Sequence, residues 1–412
     1  MADITRAPRG LVAFYALGYV GAYVALITPV ATTLALKVAE LDPDGKLASL
    51  GLVSAVGAFF ALVTNPLAGA LSDRTTSRFG RRRPFIAIGT VGGVIGLGVV
   101  GFAPSILVVL IGWSIAQVSF NLVLAALQAL LPDQIPLEQR ARVSAILGIS
   151  QQVSPLIGIG IATGVMASGA GMGPVFVVPG LVGAALLALL VVKLPERRLE
   201  TSPERFSLGE FARGFRPTPG KAADFGFTWV GRFFVILGFA IYTSYQVYYI
   251  TDRIGIDAAS VTVVQLVAVL VFSIVLTASA IVSGRLSDRW QRRKVFVYVA
   301  VAVVGVGLVM LAFTTTLAAF FVAAAVMGVG IGAFFAVDLA LVTDVLPDQV
   351  HAAAKDLGIF NIANTLPQSV APAIAPFLLA VGGGENYTVL FLTAAALALV
   401  GAAFIVPIKA VR

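Results

Sequence analysis

Two charged residues, Arg232 and Asp338, interrupt long apolar stretches and are the strongest candidates for chemistry in this sequence. A charge within a membrane costs at least roughly 2.5–3.5 kcal/mol, so it usually faces the protein interior with a partner. Both would lie at a similar depth, roughly 10–14 Å from the same side of the membrane, at about 1.5 Å per residue. We therefore predict a pair in which Asp338 carries an exchangeable proton and Arg232 adjusts its proton affinity. Alternatively, Arg232 extends to the membrane surface beside Trp229, or the pair serves structure alone.

A second group of candidates consists of polar and aromatic side chains inside the apolar stretches, which could bind a small hydroxylated molecule. Tyr15, Tyr19 and Tyr23 share one helix face, although a stripe of aromatic residues more often serves packing. Asn361 and Asn364 lie three residues apart on one face, and amides in lipid need partners. The predicted ligand-binding residues are Tyr19, Tyr23, Gln117, Asn121, Gln152, Tyr242, Gln246, Asn361 and Asn364.

Charged residues at the predicted helix ends form a third group. Asp73 ends one apolar stretch and could face the positive N-terminus of a neighbouring helix, and the arginines that follow it could pair with Asp133. Gly69 would permit close helix approach. These residues would form a latch that breaks and reforms; alternatively, the arginines only fix the orientation in the membrane. The predicted gate residues are Gly69, Asp73, Arg74, Arg82, Asp133, Asp288, Arg289 and Asp348.

Two short motifs around these charges recur later in the chain. Leu-Ser-Asp-Arg at 71–74 reappears at 286–289, and Leu-Pro-Asp-Gln at 131–134 reappears at 346–349, at the same offset. Two matches at one offset indicate an internal repeat. Two homologous halves in parallel orientation are typical of a transporter, with its site expected between the halves.

The composition indicates which elements position these residues. Of 412 residues, 59% are hydrophobic and 12% are charged, and the mean hydropathy is +0.98. These values exclude an ordinary soluble enzyme, a disordered chain and a fibrous protein. With no Cys and one His, thiolate and multi-histidine metal sites are excluded, and no nucleophile–base set supports an enzyme. We expect no cofactor beyond a coupling proton.

Long uncharged stretches predict twelve transmembrane helices, because about 20 residues cross roughly 30 Å of hydrocarbon. The predicted fold is an all-α membrane protein with two pseudo-symmetric six-helix bundles, at 1–194 and 226–412, joined by a cytoplasmic linker at 195–225. Almost all of the 28 Lys and Arg residues fall on one side, which predicts cytoplasmic termini and location in the inner (plasma) membrane. This orientation in the membrane explains the net charge of +8, so we expect no nucleic-acid partner. The expected partners are lipid and a small molecule, and the expected oligomeric state is a monomer.

The segment at 69–85 reads Gly-Ala-Leu-Ser-Asp-Arg-Thr-Thr-Ser-Arg-Phe-Gly-Arg-Arg-Arg-Pro-Phe and resembles the signature loop of the major facilitator superfamily. Its extension to Ile86 resembles the plant-type sucrose/proton symporters and the glycoside–pentoside–hexuronide carriers, as do Leu-Ile-Thr-Pro at 26–29 and Pro-Leu-Ala-Gly at 66–69. The resemblance implies a central cavity lined by helices one, four, seven and ten. It also implies proton-coupled uptake of a glucoside or disaccharide such as sucrose or maltose, by alternating access.

One departure from this resemblance concerns proton coupling. The plant symporters carry an aspartate that is central to coupling in helix four, where this sequence has Gln117, although Asn121 matches a polar position of the family. Glutamine cannot titrate, so coupling here must use another group. A second function therefore stays open: proton-driven export of a drug-like or lipophilic compound. The Ser-Pro-Leu-Ile-Gly-Ile-Gly segment at 154–160 weakly resembles the proline–glycine motif of drug/proton antiporters, although it lacks the glycine before the proline.

Overall fold

The computed structural model describes residues 10–196, 209, 222–290, 292–345 and 353–408. Within these ranges the chain consists of helices and short turns, without a β-strand. This choice of secondary structure follows from the composition, because a helix satisfies its backbone N–H and C=O groups internally, as lipid requires. The predicted all-helical fold class is thus confirmed.

The first half contains six long helices. The first is broken by a π-helical turn at Pro29–Thr33, where proline cannot donate a backbone hydrogen bond. The helices are α1 (Leu11–Leu41), α2 (Lys46–Asp73), α3 (Arg83–Gly101), α4 (Ile106–Gln134), α5 (Leu137–Ala167) and α6 (Met172–Lys193).

The described residues of the second half contain six further helices, and a second π-helical turn at Tyr249–Arg253 continues the first of them. They are α7 (Ala222–Tyr248), α8 (Val261–Trp290), α9 (Arg293–Phe313), α10 (Leu317–Val345), α11 (Ala353–Leu379) and α12 (Tyr387–Ala403). In the described chain, ten of the twelve helices have a segment long and apolar enough to cross a membrane, whereas α12 is apolar but has 17 residues.

Helix packing repeats between the halves. In the first half, α1 packs against α5 and α6, α4 packs against α2 and α3, and α3 also packs against α6. In the second half, α7 packs against α11 and α12, α10 packs against α8 and α9, and α9 also packs against α12. These are the same pairings, with each helix number raised by six. The chain divides into two compact units, Met1–Ser207 and Leu208–Arg412. The predicted repeat is therefore visible in how each unit is built.

Glycine pairs make two equivalent helix contacts close. Where α1 meets α6, a Cβ atom on Gly21 would come within 2.5 Å of the Gly183 carbonyl oxygen. Where α7 meets α12, a Cβ atom on Gly231 would lie 2.9 Å from the Gly401 carbonyl oxygen. Larger side chains would separate these backbones, so glycine sets the distance between helices in both halves.

Candidate functional site

A buried ion pair in the second unit joins three helices. The Arg232 guanidinium of α7 pairs with the Asp338 carboxylate of α10. Arg232 Nε also donates to Asn364 Oδ1 of α11 at 2.6 Å. Asp338 is 3% exposed and Arg232 is 9% exposed. The structure thus brings together the two charges that the sequence singled out, and turns Arg232 inward beside Asp338.

Aromatic rings of α10 and α11 and amides of α11 extend this cluster. The Arg232 guanidinium carbon lies 4.8 Å from the centre of the buried Phe360 ring and 5.8 Å from that of Phe335. Asn364 Nδ2 donates to Asn361 Oδ1 at 3.1 Å, and Asn361 is exposed. A continuous polar path therefore leads from the buried carboxylate of Asp338 to the exposed amide of Asn361.

The chemistry of this cluster is that of one proton-accepting group beside one fixed cation. A carboxylate can take up a proton, whereas a guanidinium stays charged at physiological pH. Protonation of Asp338 would remove the ion pair and leave Arg232 bonded to Asn364 and facing two aromatic rings. The arrangement can therefore exist in two charge states with different contacts.

An amide cluster occupies the first unit. Asn121 Nδ2 donates to the Gln117 carbonyl oxygen at 2.8 Å and to Gln117 Oε1 at 3.3 Å, all on α4. Asn65 Nδ2 of α2 lies 3.5 Å from Asn121 Oδ1. Asn65 was missing from the sequence-based set, although a polar residue beside Pro66 in an apolar stretch is a detectable signal. This cluster is neutral at every physiological pH.

The tyrosines of α1 form an aromatic ladder. The rings of Tyr15 and Tyr19 are 5.4 Å apart and edge-on, and those of Tyr19 and Tyr23 are 5.9 Å apart and stacked. Tyr15 donates its hydroxyl to the Leu127 carbonyl oxygen of α4 at 2.5 Å. Tyr15 and Tyr19 are buried, so packing accounts for much of this stripe.

The remaining predicted ligand-binding residues are not drawn into one cluster. Tyr242 is buried between Phe239 of α7 and Phe391 of α12. Its hydroxyl is hydrogen-bonded to the Gln246 side chain. Gln246 is buried as well, whereas Gln152 is exposed on α5. Tyr242 follows Arg232 by about three helical turns, or about 15 Å along α7.

A network of ionic and hydrogen bonds ties the helix ends of the first unit. The nearly buried Arg82 side chain bonds Asp73 and Ser72 at the end of α2. Its Nε donates to Asp133 Oδ2 of α4 at 2.9 Å, and Arg81 pairs with the same carboxylate. We call these five residues the gate network; it contains the pairing between the loop arginines and Asp133 that the sequence suggested.

Glu196 supports this network but was not predicted. Its carboxylate accepts hydrogen bonds from the backbone N–H groups of Arg82, at 2.9 and 3.0 Å, and of Arg83, at 2.9 Å. These groups open α3, where a helix leaves donors without internal partners. Burial raises the pKa of Glu196, and the bonds from both amides partly oppose this shift. Glu196 follows α6 in the sequence, and only the tertiary fold brings it to the start of α3.

One expectation about the gate needs correction. A Cβ atom on Gly69 would meet no atom of the described chain within 4 Å, so close helix approach does not explain this glycine. Asp73 pairs with the side chain of Arg82, the residue that precedes α3. Arg74 bonds the Ala70 carbonyl oxygen of its own helix at 3.0 Å. In the second unit, Asp288 and Arg289 are exposed at the end of α8, and Asp348 lies outside the described residues.

Comparisons with known proteins place this architecture in a family. The family model described as Major Facilitator Superfamily matches residues 10–227 and 228–411. The nucleoside transporter NupG covers 97% of this chain and 100% of its own at a TM-score of 0.76 and 14% identity. A bacterial homolog of the human lysosomal transporter Spinster covers 96% of this chain and 94% of its own, at a TM-score of 0.67 and 16% identity. These identities support the fold alone.

Shorter matches connect the chain to curated sugar carriers. The General alpha-glucoside permease of Schizosaccharomyces pombe is 27% identical over 122 residues, which cover 25% of this chain and 22% of the permease. The Proton-associated sugar transporter A of Homo sapiens is 41% identical over 73 residues, which cover 18% of this chain and 9% of that protein. The chain thus spans less than a quarter of either relative. The family match covers both halves, and we conclude that this multi-pass membrane transporter belongs to the Major Facilitator Superfamily.

Proposed function

We propose that this transporter takes up a glucoside or disaccharide, such as sucrose or maltose, together with a proton, by alternating access. The observation that carries the proposal is the buried pair of Asp338 and Arg232. The segments shared with the General alpha-glucoside permease and with the Proton-associated sugar transporter A support a sugar as the substrate class.

Asp338 would bind the coupling proton. Breaking a buried ion pair from one side is costly, about 3–5 kcal/mol, because the other charge is left without compensation. Proton binding to Asp338 removes one charge of the pair, so the cluster must rearrange around Arg232. A substrate that contacts Asn364 or Arg232 would bind the two charge states differently, and that difference couples sugar to proton.

Sugar hydroxyl groups need donors, acceptors and flat apolar faces. Asn361 is exposed and bonded to Asn364, and Phe335 is 37% exposed beside Arg232. These side chains would supply the ligand contacts of the second half. The amides of Gln117 and Asn121 would supply those of the first half.

The test uses purified protein in liposomes containing a pH-sensitive dye, challenged with mono- and disaccharides. We expect proton uptake with one sugar class, and its loss in Asp338→Asn. Asp44→Asn is the matched control, because Asp44 is an exposed carboxylate in the turn between α1 and α2. Sugar-driven proton uptake that persists in Asp338→Asn would refute the assigned carboxylate. Proton movement driven by lipophilic compounds, with no response to sugars, would favour the exporter.

A further inference from the structure

A groove of about 470 Å³ lies between the start of α3 and the end of α6. Its walls include Ala87 and Ile88 of α3 and Val191 and Val192 of α6. Arg83, the first residue of α3, lines one end. The groove is thus apolar along the helices and cationic where both helices reach the predicted cytoplasmic surface.

Local contacts hold the arginines at the cationic end of the groove. Arg83 Nη2 donates to the Leu194 carbonyl oxygen. The Arg78 guanidinium lies 4.7 Å from the centre of the Phe79 ring, which also lines the groove and is 58% exposed. Two guanidinium groups therefore stand near the opening of an apolar channel.

A second groove, between α9 and α12, provides a contrast. It has a volume of about 590 Å³, and its lining residues, which include Val306, Met310 and Leu399, are all uncharged. Such a surface fits acyl chains of any lipid. The α3–α6 groove differs because its apolar walls end at arginine.

We propose that the groove between α3 and α6 is a binding site for an anionic phospholipid. The headgroup phosphate would accept hydrogen bonds from Arg83 and face Arg78, and one acyl chain would lie along Ala87, Ile88 and the valines of α6. Arginine binds phosphate oxygens strongly, and basic pockets between helices at the cytoplasmic surface suit anionic headgroups. This site is separate from the residues proposed for sugar and proton.

The position of this site connects it to the gate network. Arg83 follows Arg82 directly, and both backbone N–H groups bond the Glu196 carboxylate. A phosphate at Arg83 would neutralise positive charge beside this network and hold the start of α3 against α6. Bound anionic lipid would therefore stabilise the first unit.

The test is competition between lipids on the delipidated full-length protein. The protein is incubated with equal amounts of phosphatidylglycerol and phosphatidylcholine, and retained lipids are counted by native mass spectrometry. We expect preferential retention of phosphatidylglycerol. Arg83→Gln should reduce this preference by at least about fivefold, as expected for loss of a charge-assisted hydrogen bond. Arg142→Gln is the control, because Arg142 is an exposed arginine of α5 outside the groove.

A second variant separates lipid binding from loss of charge. Ala87→Trp fills the apolar groove, keeps every arginine, and should lower phosphatidylglycerol retention even if Arg83→Gln fails to fold. Equal retention of both lipids by the unmodified protein would overturn the proposal. So would full preference in Ala87→Trp, or displacement of phosphatidylglycerol by inorganic phosphate, which would indicate a site for a soluble anion.

Discussion

At the scale of single residues, the pair of Arg232 and Asp338 makes a sharp prediction about stability. Asp338→Asn leaves a buried guanidinium without its counterion, which should lower the free energy of unfolding by about 3–5 kcal/mol. Arg232→Gln should cost less, because a lone buried carboxylate can take up a proton and become neutral. The double variant should recover most of the loss. Thermal unfolding of the detergent-purified variants measures all three values.

The same variants separate structure from coupling. If the pair serves structure alone, the double variant should regain both stability and sugar-driven proton movement. If Asp338 carries the proton, the double variant should regain stability and exchange sugar across the membrane without moving protons. A double variant with full proton coupling would refute the role of Asp338.

Glu196 gives a prediction about pH. Burial raises its pKa above the ordinary value of 4.5, so the folded protein binds this proton more tightly than the unfolded chain does. The contribution of Glu196 to stability is therefore greatest below pH 4.5 and declines as pH rises through the raised pKa. The melting temperature of the unmodified protein minus that of Glu196→Gln should therefore decrease as the pH rises through this range. A difference that grows with pH would contradict this explanation.

These residues also show what a sequence can reveal about a site. Arg232 and Asp338 were predictable because a charge in an apolar stretch demands a partner within the protein. Glu196 was not identified, because it lies after α6 and contacts the start of α3 through tertiary structure that no periodic pattern reports. Asn65 was overlooked although its position in an apolar stretch was a signal. The role given to Gly69 failed for a related reason, since a glycine marks a possible close approach without identifying what approaches.

At the scale of helices, glycine contacts predict where substitution is tolerated. Gly401→Ala would place a Cβ atom 2.6 Å from the Gly231 carbonyl oxygen, so α7 and α12 must separate. We expect a loss of about 1–3 kcal/mol, as in other overpacked contacts. Gly164→Ala is the control, because a Cβ atom there meets nothing within 4 Å of the described chain. Unfolding of both variants in denaturing detergent measures the difference, and equal stability would contradict this account.

Within the described chain, sequence patterning predicted the number of long helices better than their ends. The apolar stretch of α5 begins at Ser144, yet the helix begins at Leu137, because a helix can continue beyond lipid with polar side chains. Similarly, α7 begins at Ala222, inside the range predicted as linker. The sequence marks the π turn at Pro29–Thr33 with a proline, whereas the π turn at Tyr249–Arg253 contains no such marker.

At the scale of the whole molecule, the repeated packing predicts that the halves fold separately. The main helix pairings lie within Met1–Ser207 or within Leu208–Arg412, so each half has its own core. Two fragments divided between Ser207 and Leu208 and expressed together should restore the proposed sugar uptake. Either fragment alone should enter the membrane yet transport nothing. Loss of membrane insertion by each isolated fragment would contradict independent folding.

The two halves share their architecture but differ in the chemistry of their polar clusters. The first unit presents the amides of Asn65, Gln117 and Asn121, whereas the second presents the ion pair of Arg232 and Asp338. The repeat in the sequence predicted equivalent helices, but equivalence of fold does not extend to function within each half. In the proposed cycle, proton binding and release therefore take place in the second half.

This division has an electrical consequence. The ion pair of Arg232 and Asp338 has no net charge, so it feels little force from the membrane voltage. Once Asp338 is protonated, Arg232 leaves one positive charge within the apolar region, and one elementary charge is worth about 2.3 kcal/mol per 100 mV. A cell with a negative interior would thus pull the proton-loaded form inward. Sugar accumulation by the proposed mechanism would then follow voltage even where the pH is equal on both sides.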